Sequence, residues 1–226
     1  MLLILIRALL FDLDETLHDR SGSLPYFLEN QYERFSAYVS HIPLDEYVSV
    51  FLELDQGGRV WKDVVYAEMI CRFQLSLSVE VLLHDYVTRY PNFARSFPGV
   101  TTFFAQLPPD LPIGLLSNGR TTFQRAVLDA IGLTSAFTQI GISEQEGLRK
   151  PDPAFFLRVT DRLGVRPEEV LFVGDNYDHD ILPARALGMQ AIWKRTGDVA
   201  LTDTHFSDWH QLPLPLQNLI PKEIHP

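Results

Sequence analysis

The chain has 226 residues, enough for one large domain or for a core plus a smaller insert, with 46% apolar and 21% charged residues. A formal net charge of −10 and a pI near 5.1 exclude a duplex-binding protein organised around a basic face. The single cysteine, Cys71, excludes a disulfide framework and a multi-thiolate metal site.

The N-terminal Met1–Ile6 run lacks a basic leader region and a small-residue cleavage site, and it is too short to span a membrane. It reads as the lead-in to a core strand, and the expected location is the cytoplasm. Ala8 to Phe11 is an apolar run read as a buried strand, ending abruptly in Asp12, Asp14 and Thr16. Alternate side chains of an extended chain point the same way, so Asp12 and Asp14 are expected on one side, with a divalent cation offsetting their repulsion. A polar turn from Leu17 to Ser23 follows. Helical spacing then runs from about Leu24 to Tyr90, opened by Pro25, reopened at Pro43 and broken at Gln56-Gly57-Gly58-Arg59. Arg59, directly after that break, is the candidate for touching a substrate, with Trp61 and Lys62 in the same loop. An all-helical insert is the expectation.

Beyond a linker from Pro91 to Gly99, a short helix ends near Leu107, and Ile113 to Leu116 reads as a second buried strand ending in Ser117 and Asn118. A helix from Thr121 to Ile131, a weaker strand from Thr138 to Ile142 and a proline-stiffened loop, Arg149-Lys150-Pro151-Asp152-Pro153, come next. A helix over Ala154–Leu163, a strong strand Val170–Val173 ending in Gly174-Asp175, a helix from Asp180 to Leu187 and a strand from Gln190 to Trp193 complete the pattern. Strands alternating with helices predict an α/β fold, a Rossmann-like parallel sheet covered on both faces, with its ligand edge at the strand ends. The proline-containing tail from Val199 reads as an irregular wrap.

Three strands thus end in Asp12/Asp14, Ser117/Asn118 and Asp175, and Lys150 can project to the same edge. These are parts for phosphoryl transfer: Lys150 as a point charge, a metal held by Asp12 and Asp175, and Ser117 as a donor to a phosphoryl oxygen. No glycine-rich nucleotide loop is present, and the histidines have no paired zinc spacing.

Phe11-Asp-Leu-Asp-Glu-Thr16, Leu116-Ser-Asn-Gly119, Arg149-Lys-Pro-Asp-Pro153 and Val173-Gly-Asp-Asn-Tyr-Asp-His-Asp-Ile181, in that order, resemble the haloacid dehalogenase-like hydrolases. The resemblance covers most of the chain and implies a catalytic core of residues 1–17 and 99–226 with a helical cap over 18–98. It implies that Asp12 is the nucleophile, forming an aspartyl-phosphate, and that Asp14 is the general acid and base. It further implies Mg²⁺ held by Asp12, Asp175 and the backbone carbonyl of Asp14. Ser117, Asn118 and Lys150 are the expected phosphate-binding residues, with Thr16 and Asp180 in support. His179 departs from the asparagine common in relatives, and a turn role suits Asp178 better than metal ligation. The expected protein is a Mg²⁺-dependent phosphatase of small phosphorylated metabolites, monomeric or homodimeric, with neither nucleic acid nor membrane as partner. A 2-haloacid dehalogenase, a phosphorylatable signalling module and a silent binding protein are the competing readings. The dehalogenase needs neither a general acid nor a metal, so Asp14 and Asp175 weigh against it.

Overall fold

The computed structural model describes residues 5–197 and 205–210; residues 1–4 of the N-terminal lead-in, and most of the tail, lie outside that range. The chain divides into two compact units, one formed by Met1–Asp19 and Ser96–Pro226 and the other by Arg20–Arg95.

The first unit is built on a parallel six-stranded sheet with strand order β3-β2-β1-β4-β5-β6. Its strands are β1 (Ala8–Phe11), β2 (Ile113–Ser117), β3 (Gln139–Ile142), β4 (Val170–Gly174), β5 (Gln190–Lys194) and β6 (His205–Phe206). β1, β2 and β4 have every residue buried, the continuous apolar reading that parallel strands covered on both faces require. β1 lies between β2 and β4, with Phe11 in register with Leu115 on one side and Val173 on the other. After β1 the chain builds β2 and β3 to one side and then crosses back to place β4 on the other. The crevice at the C-terminal ends of β1 and β4 is therefore the switch point where such sheets bind ligands.

Core helices cover the sheet for reasons visible in their sequence. α9 (Pro153–Leu163) starts at Asp152, whose carboxylate accepts the Ala154 N–H at 2.9 Å. It buries Phe155, Phe156, Val159, Thr160 and Leu163 along one stripe. α6 (Val100–Ala105), α7 (Thr121–Ala130), α8 (Ser143–Glu146) and α10 (Leu182–Ala186) are the others. The expected helix from Asp180 to Leu187 is present as α10, preceded by a π-helical turn, Tyr177–Ile181. The side chain of Asn176 causes this by accepting the N–H groups of Asp178 and His179. The tail also differs from the irregular wrap expected: β6 adds a strand, and Trp209 is buried against Phe11, Phe103 and Phe206.

The second unit is helical: α1 (Arg20–Arg34), α2 (Ser36–Val39), α3 (Leu44–Asp55), α4 (Lys62–Phe73) and α5 (Val79–Arg89). α1 begins before the expected Leu24 and carries Pro25 inside, so Ser21-Gly22-Ser23 is helix and not turn. An ion pair of Arg20 with Asp55, 2.6 Å apart, anchors that extra first turn. Phe27 with Tyr86 and Phe51 with Tyr66 pack edge to face, and Gln31 Oε1 accepts the hydroxyls of Tyr47 and Tyr66. Lys62, expected in a substrate-facing loop, is buried and paired with Asp55. No helix among the described residues is long and apolar enough to cross a membrane.

Candidate active site

Asp12 follows β1 directly, and its N–H still donates to the Val173 carbonyl at 2.9 Å, so sheet pairing fixes its Cα. Both carboxylate oxygens are engaged: Oδ1 lies 2.5 Å from Lys150 Nζ, and Oδ2 accepts the Thr16 hydroxyl at 2.9 Å. Past Leu13 the chain winds around one atom, because the N–H groups of Thr16, Leu17 and His18 all point to the Leu13 carbonyl. Glu15 takes a left-handed φ of 60° to make that turn.

Around this turn the two acids take different hydrogen-bond partners. Asp14 Oδ1 lies 2.7 Å from His18 Nδ1, and its Oδ2 accepts from Gln124 Nε2 at 2.8 Å. A divalent cation was expected to offset the repulsion of Asp12 and Asp14, with Asp14 offering its backbone carbonyl, and the Asp14 carboxylate has these partners of its own. Asp12, Asp175 and Asp180 form the compact acidic group, with one oxygen from each within 4.8 Å of the others. Asp14 is also the wetter acid, its side chain 32% exposed against 8% for Asp12.

Lys150 lies between two acids, 2.5 Å from Asp12 and 2.7 Å from Asp180. Burial alone would push its pKa down, but the Asp12 and Asp180 carboxylates reverse that and hold it above the usual lysine range. Asp180 reaches the end of β4 because residue 174 is glycine; a Cβ there would stand 2.6 Å from Asp180 Oδ2. Burial pushes the Asp175 carboxyl up to about 8, reinforced by Asp12 and Asp180, and raises Asp12 to about 6 against the opposing pull of Lys150. Two buried acids and the half-buried Asp175, facing one lysine, carry more negative charge than the site balances itself. Their hard oxygen donors therefore fit a divalent cation such as Mg²⁺.

The remaining expected residues divide in two. Ser117 ends β2, nearly fully buried, and its Oγ accepts from Gln124 Nε2 at 2.7 Å, leaving its own hydrogen to donate elsewhere. Asn118 is engaged as a brace: its Nδ2 donates to the Lys150 carbonyl at 3.0 Å, and its Oδ1 accepts the Lys150 N–H at 2.9 Å. Its amide thus holds the Lys150 loop. Arg59 is exposed and belongs to the helical unit. Asp178 is exposed, its N–H donated to Asn176 Oδ1, in keeping with a turn role.

Two residues were given no role at the site from the sequence. Gln124 donates to both Asp14 and Ser117, and Gly119 leaves it room, since a Cβ at that position would stand 2.8 Å from Gln124 Cγ. The available signal was its place on the buried stripe of α7 with Val127 and Leu128, where a polar residue requires a partner. His18, fully buried beside Asp14, carried no signal apart from its nearness to the first motif.

A family model described as haloacid dehalogenase-like hydrolase matches residues 6–188. The chain belongs to that family. As a haloacid dehalogenase-like hydrolase it is similar to the glyceraldehyde 3-phosphate phosphatase of Pyrococcus furiosus, 26% identical over 211 residues that cover 90% of this chain and 87% of the relative. It is also similar to the phosphoglycolate phosphatase of Yersinia pestis, 30% identical over 193 residues, covering 83% and 80%. Among solved structures, a haloacid dehalogenase-like phosphatase from Thermococcus onnurineus superposes with a TM-score of 0.67 at 29% identity, covering 93% of this chain and 98% of that one. This haloacid dehalogenase-like hydrolase is an enzyme of the phosphatase type.

Proposed function

We propose that this enzyme hydrolyses small phosphomonoesters with Mg²⁺ through an aspartyl-phosphate on Asp12. The observation that carries the reading is the setting of Asp12, clamped by Lys150 and Thr16 within 4.8 Å of two further acids. The Asp12 carboxylate attacks phosphorus, the ester bond breaks, and the departing alkoxide takes a proton from Asp14. Asp14, now ionised, then removes a proton from the water that attacks the acyl phosphate, which releases inorganic phosphate and restores the Asp12 carboxylate. Lys150 and the Ser117 hydroxyl bind the phosphoryl oxygens, and Asn118 keeps Lys150 in place. Asp12, Asp175 and the Asp14 carbonyl would hold Mg²⁺, with Asp180 in support; when bound, it supplies positive charge against the phosphoryl oxygens. The exposure of Asp14 suits a group that exchanges protons with solvent once per turnover.

Residues 18–98 are proposed as the cap, with Arg59 as a determinant of substrate preference. The relatives named for glyceraldehyde 3-phosphate and phosphoglycolate point to phosphorylated metabolites of two or three carbons. The test is phosphate release from a panel including those two esters, sugar phosphates and nucleoside monophosphates, with and without Mg²⁺. No release from any of them, or halide release from 2-haloacids without metal, would overturn the proposal. Arg59→Ala should change the ranking of kcat/KM across the panel; a uniform change would remove Arg59 from that role.

A further inference from the structure

The chain has three tryptophans, and two of them lie beyond residue 188, where the family match ends. Each donates its indole N–H to the backbone carbonyl of an acid-bearing loop. Trp193, in β5, donates to the Asp175 carbonyl at 2.6 Å. Trp209, after β6, donates to the Thr16 carbonyl at 3.1 Å. Indole nitrogen is a donor only, so neither assignment depends on a tautomer or an amide flip.

A peptide group is a rigid plane, and in both loops the other end of that plane is already held. The peptide that carries the Thr16 carbonyl also carries the Leu17 N–H, which donates to the Leu13 carbonyl at 2.9 Å. Restraining both ends fixes the Thr16 Cα, and with it the hydroxyl that holds Asp12 Oδ2. The peptide that carries the Asp175 carbonyl also carries the Asn176 N–H, which donates to Asp180 Oδ2 at 3.1 Å. There the indole restrains the plane that joins Asp175 to Asp180's partner. The rings are themselves held: Trp209 packs 5.1 Å from Phe103 and 5.0 Å from Phe206, and Trp193 lies 5.3 Å from Tyr177.

We propose that Trp193 and Trp209 are positioning residues, a two-point brace by which the C-terminal strands set the loops of Asp12 and Asp175. This rests on the phosphatase reading for its kinetic consequence but not for its geometry. The experiment compares Trp193→Phe and Trp209→Phe with the parent, and uses Phe206→Leu as a control that trims the same aromatic packing without touching a hydrogen bond. Loss of either indole N–H should lower kcat about 10-fold, a fraction of the penalty for a 1 Å misplacement, with KM within about twofold. Hydrogen exchange should rise in residues 12–18 for Trp209→Phe and in residues 175–181 for Trp193→Phe. Phe206→Leu should lower Tm and leave kcat within about twofold. Unchanged kcat in both indole variants, or an equal loss in Phe206→Leu, overturns the brace. Should Trp209→Phe fail to fold, Trp193→Phe at the half-buried site decides by the same criteria. A parent that releases no phosphate removes the phosphatase reading alone; the brace is then judged by exchange, and no rise in either loop overturns it.

Discussion

Gln124→Leu removes a contact that ties Asp14, the proposed general acid, to Ser117, the proposed phosphate-binding serine. Leucine keeps most of the side-chain volume and removes two N–H donors, one to Asp14 Oδ2 at 2.8 Å and one to Ser117 Oγ at 2.7 Å. A hydrogen bond to a charged group is worth about 1.5–3 kcal/mol. The Asp14 side chain is 32% exposed, so water replaces part of the loss and the low end, about 1.5 kcal/mol, applies. Ser117 is 1% exposed, so its acceptor is not rehydrated and adds about 1 kcal/mol. Together these predict a fall in kcat/KM of about 50- to 100-fold for an alkyl phosphate, each 1.4 kcal/mol being tenfold. With 4-nitrophenyl phosphate, whose leaving group hardly needs a proton, only the serine part remains, a loss of about fivefold. The assay is steady-state phosphate release on both substrates, with Tm measured alongside. Equal losses on the two substrates, or none on either, would refute the assigned link to Asp14.

Asp12→Asn should abolish both turnover and covalently retained phosphate, whereas Asp14→Asn should retain more activity on 4-nitrophenyl phosphate than on alkyl phosphates; trapped phosphoenzyme in Asp12→Asn would sink the nucleophile assignment. Without metal, the raised carboxyl of Asp175 binds its proton more tightly folded than unfolded, so its stabilisation is complete below about pH 4 and is lost as pH climbs through about 8. Thermal melts in chelator should therefore show Tm falling from pH 5 to 8, and Mg²⁺ should flatten that slope; a Tm that rises with pH in chelator contradicts the site's charge balance. Asp55→Ala leaves Arg20 and Lys62 buried without their shared carboxylate, and should destabilise the helical unit by about 3–5 kcal/mol in urea unfolding. A loss below about 1 kcal/mol would mean that water reaches those cations.

The sheet was legible because its central strands are short apolar runs that end in polar groups, and a buried parallel strand needs nothing more. Ala8–Phe11 and Val170–Val173 could be read directly for that reason. β6 was not legible, since two residues carry no period, and its presence follows from pairing with β5. The strand-end acids were legible by type and order, with Asp180 as a support, but the local partners of Asp14 were not. Alternation holds only while the chain stays extended, and it turns around the Leu13 carbonyl one residue after Asp12. The bracing of the Lys150 loop by the Asn118 amide was not legible either, because residue type does not reveal which neighbouring backbone an amide bridges. Pro25 marked a helix start by its usual preference, yet the ion pair of Arg20 with Asp55 carries the helix upstream of it.

The two chain crossings that flank the helical unit run side by side. Phe97 donates its N–H to the Leu17 carbonyl at 3.0 Å, and His18 bridges to Ser96 in antiparallel fashion. The ends of the inserted segment thus meet within one hydrogen bond of each other, as the two strands of a hairpin do at its turn. The entropy of closing a loop grows only with the logarithm of its length, so the sheet is almost indifferent to whether a short turn or a whole bundle of helices fills the gap. In evolutionary terms this makes residues 20–95 an exchangeable cassette. The segment between Asp19 and Ser96 can vary without disturbing the register that sets Phe11 beside Val173.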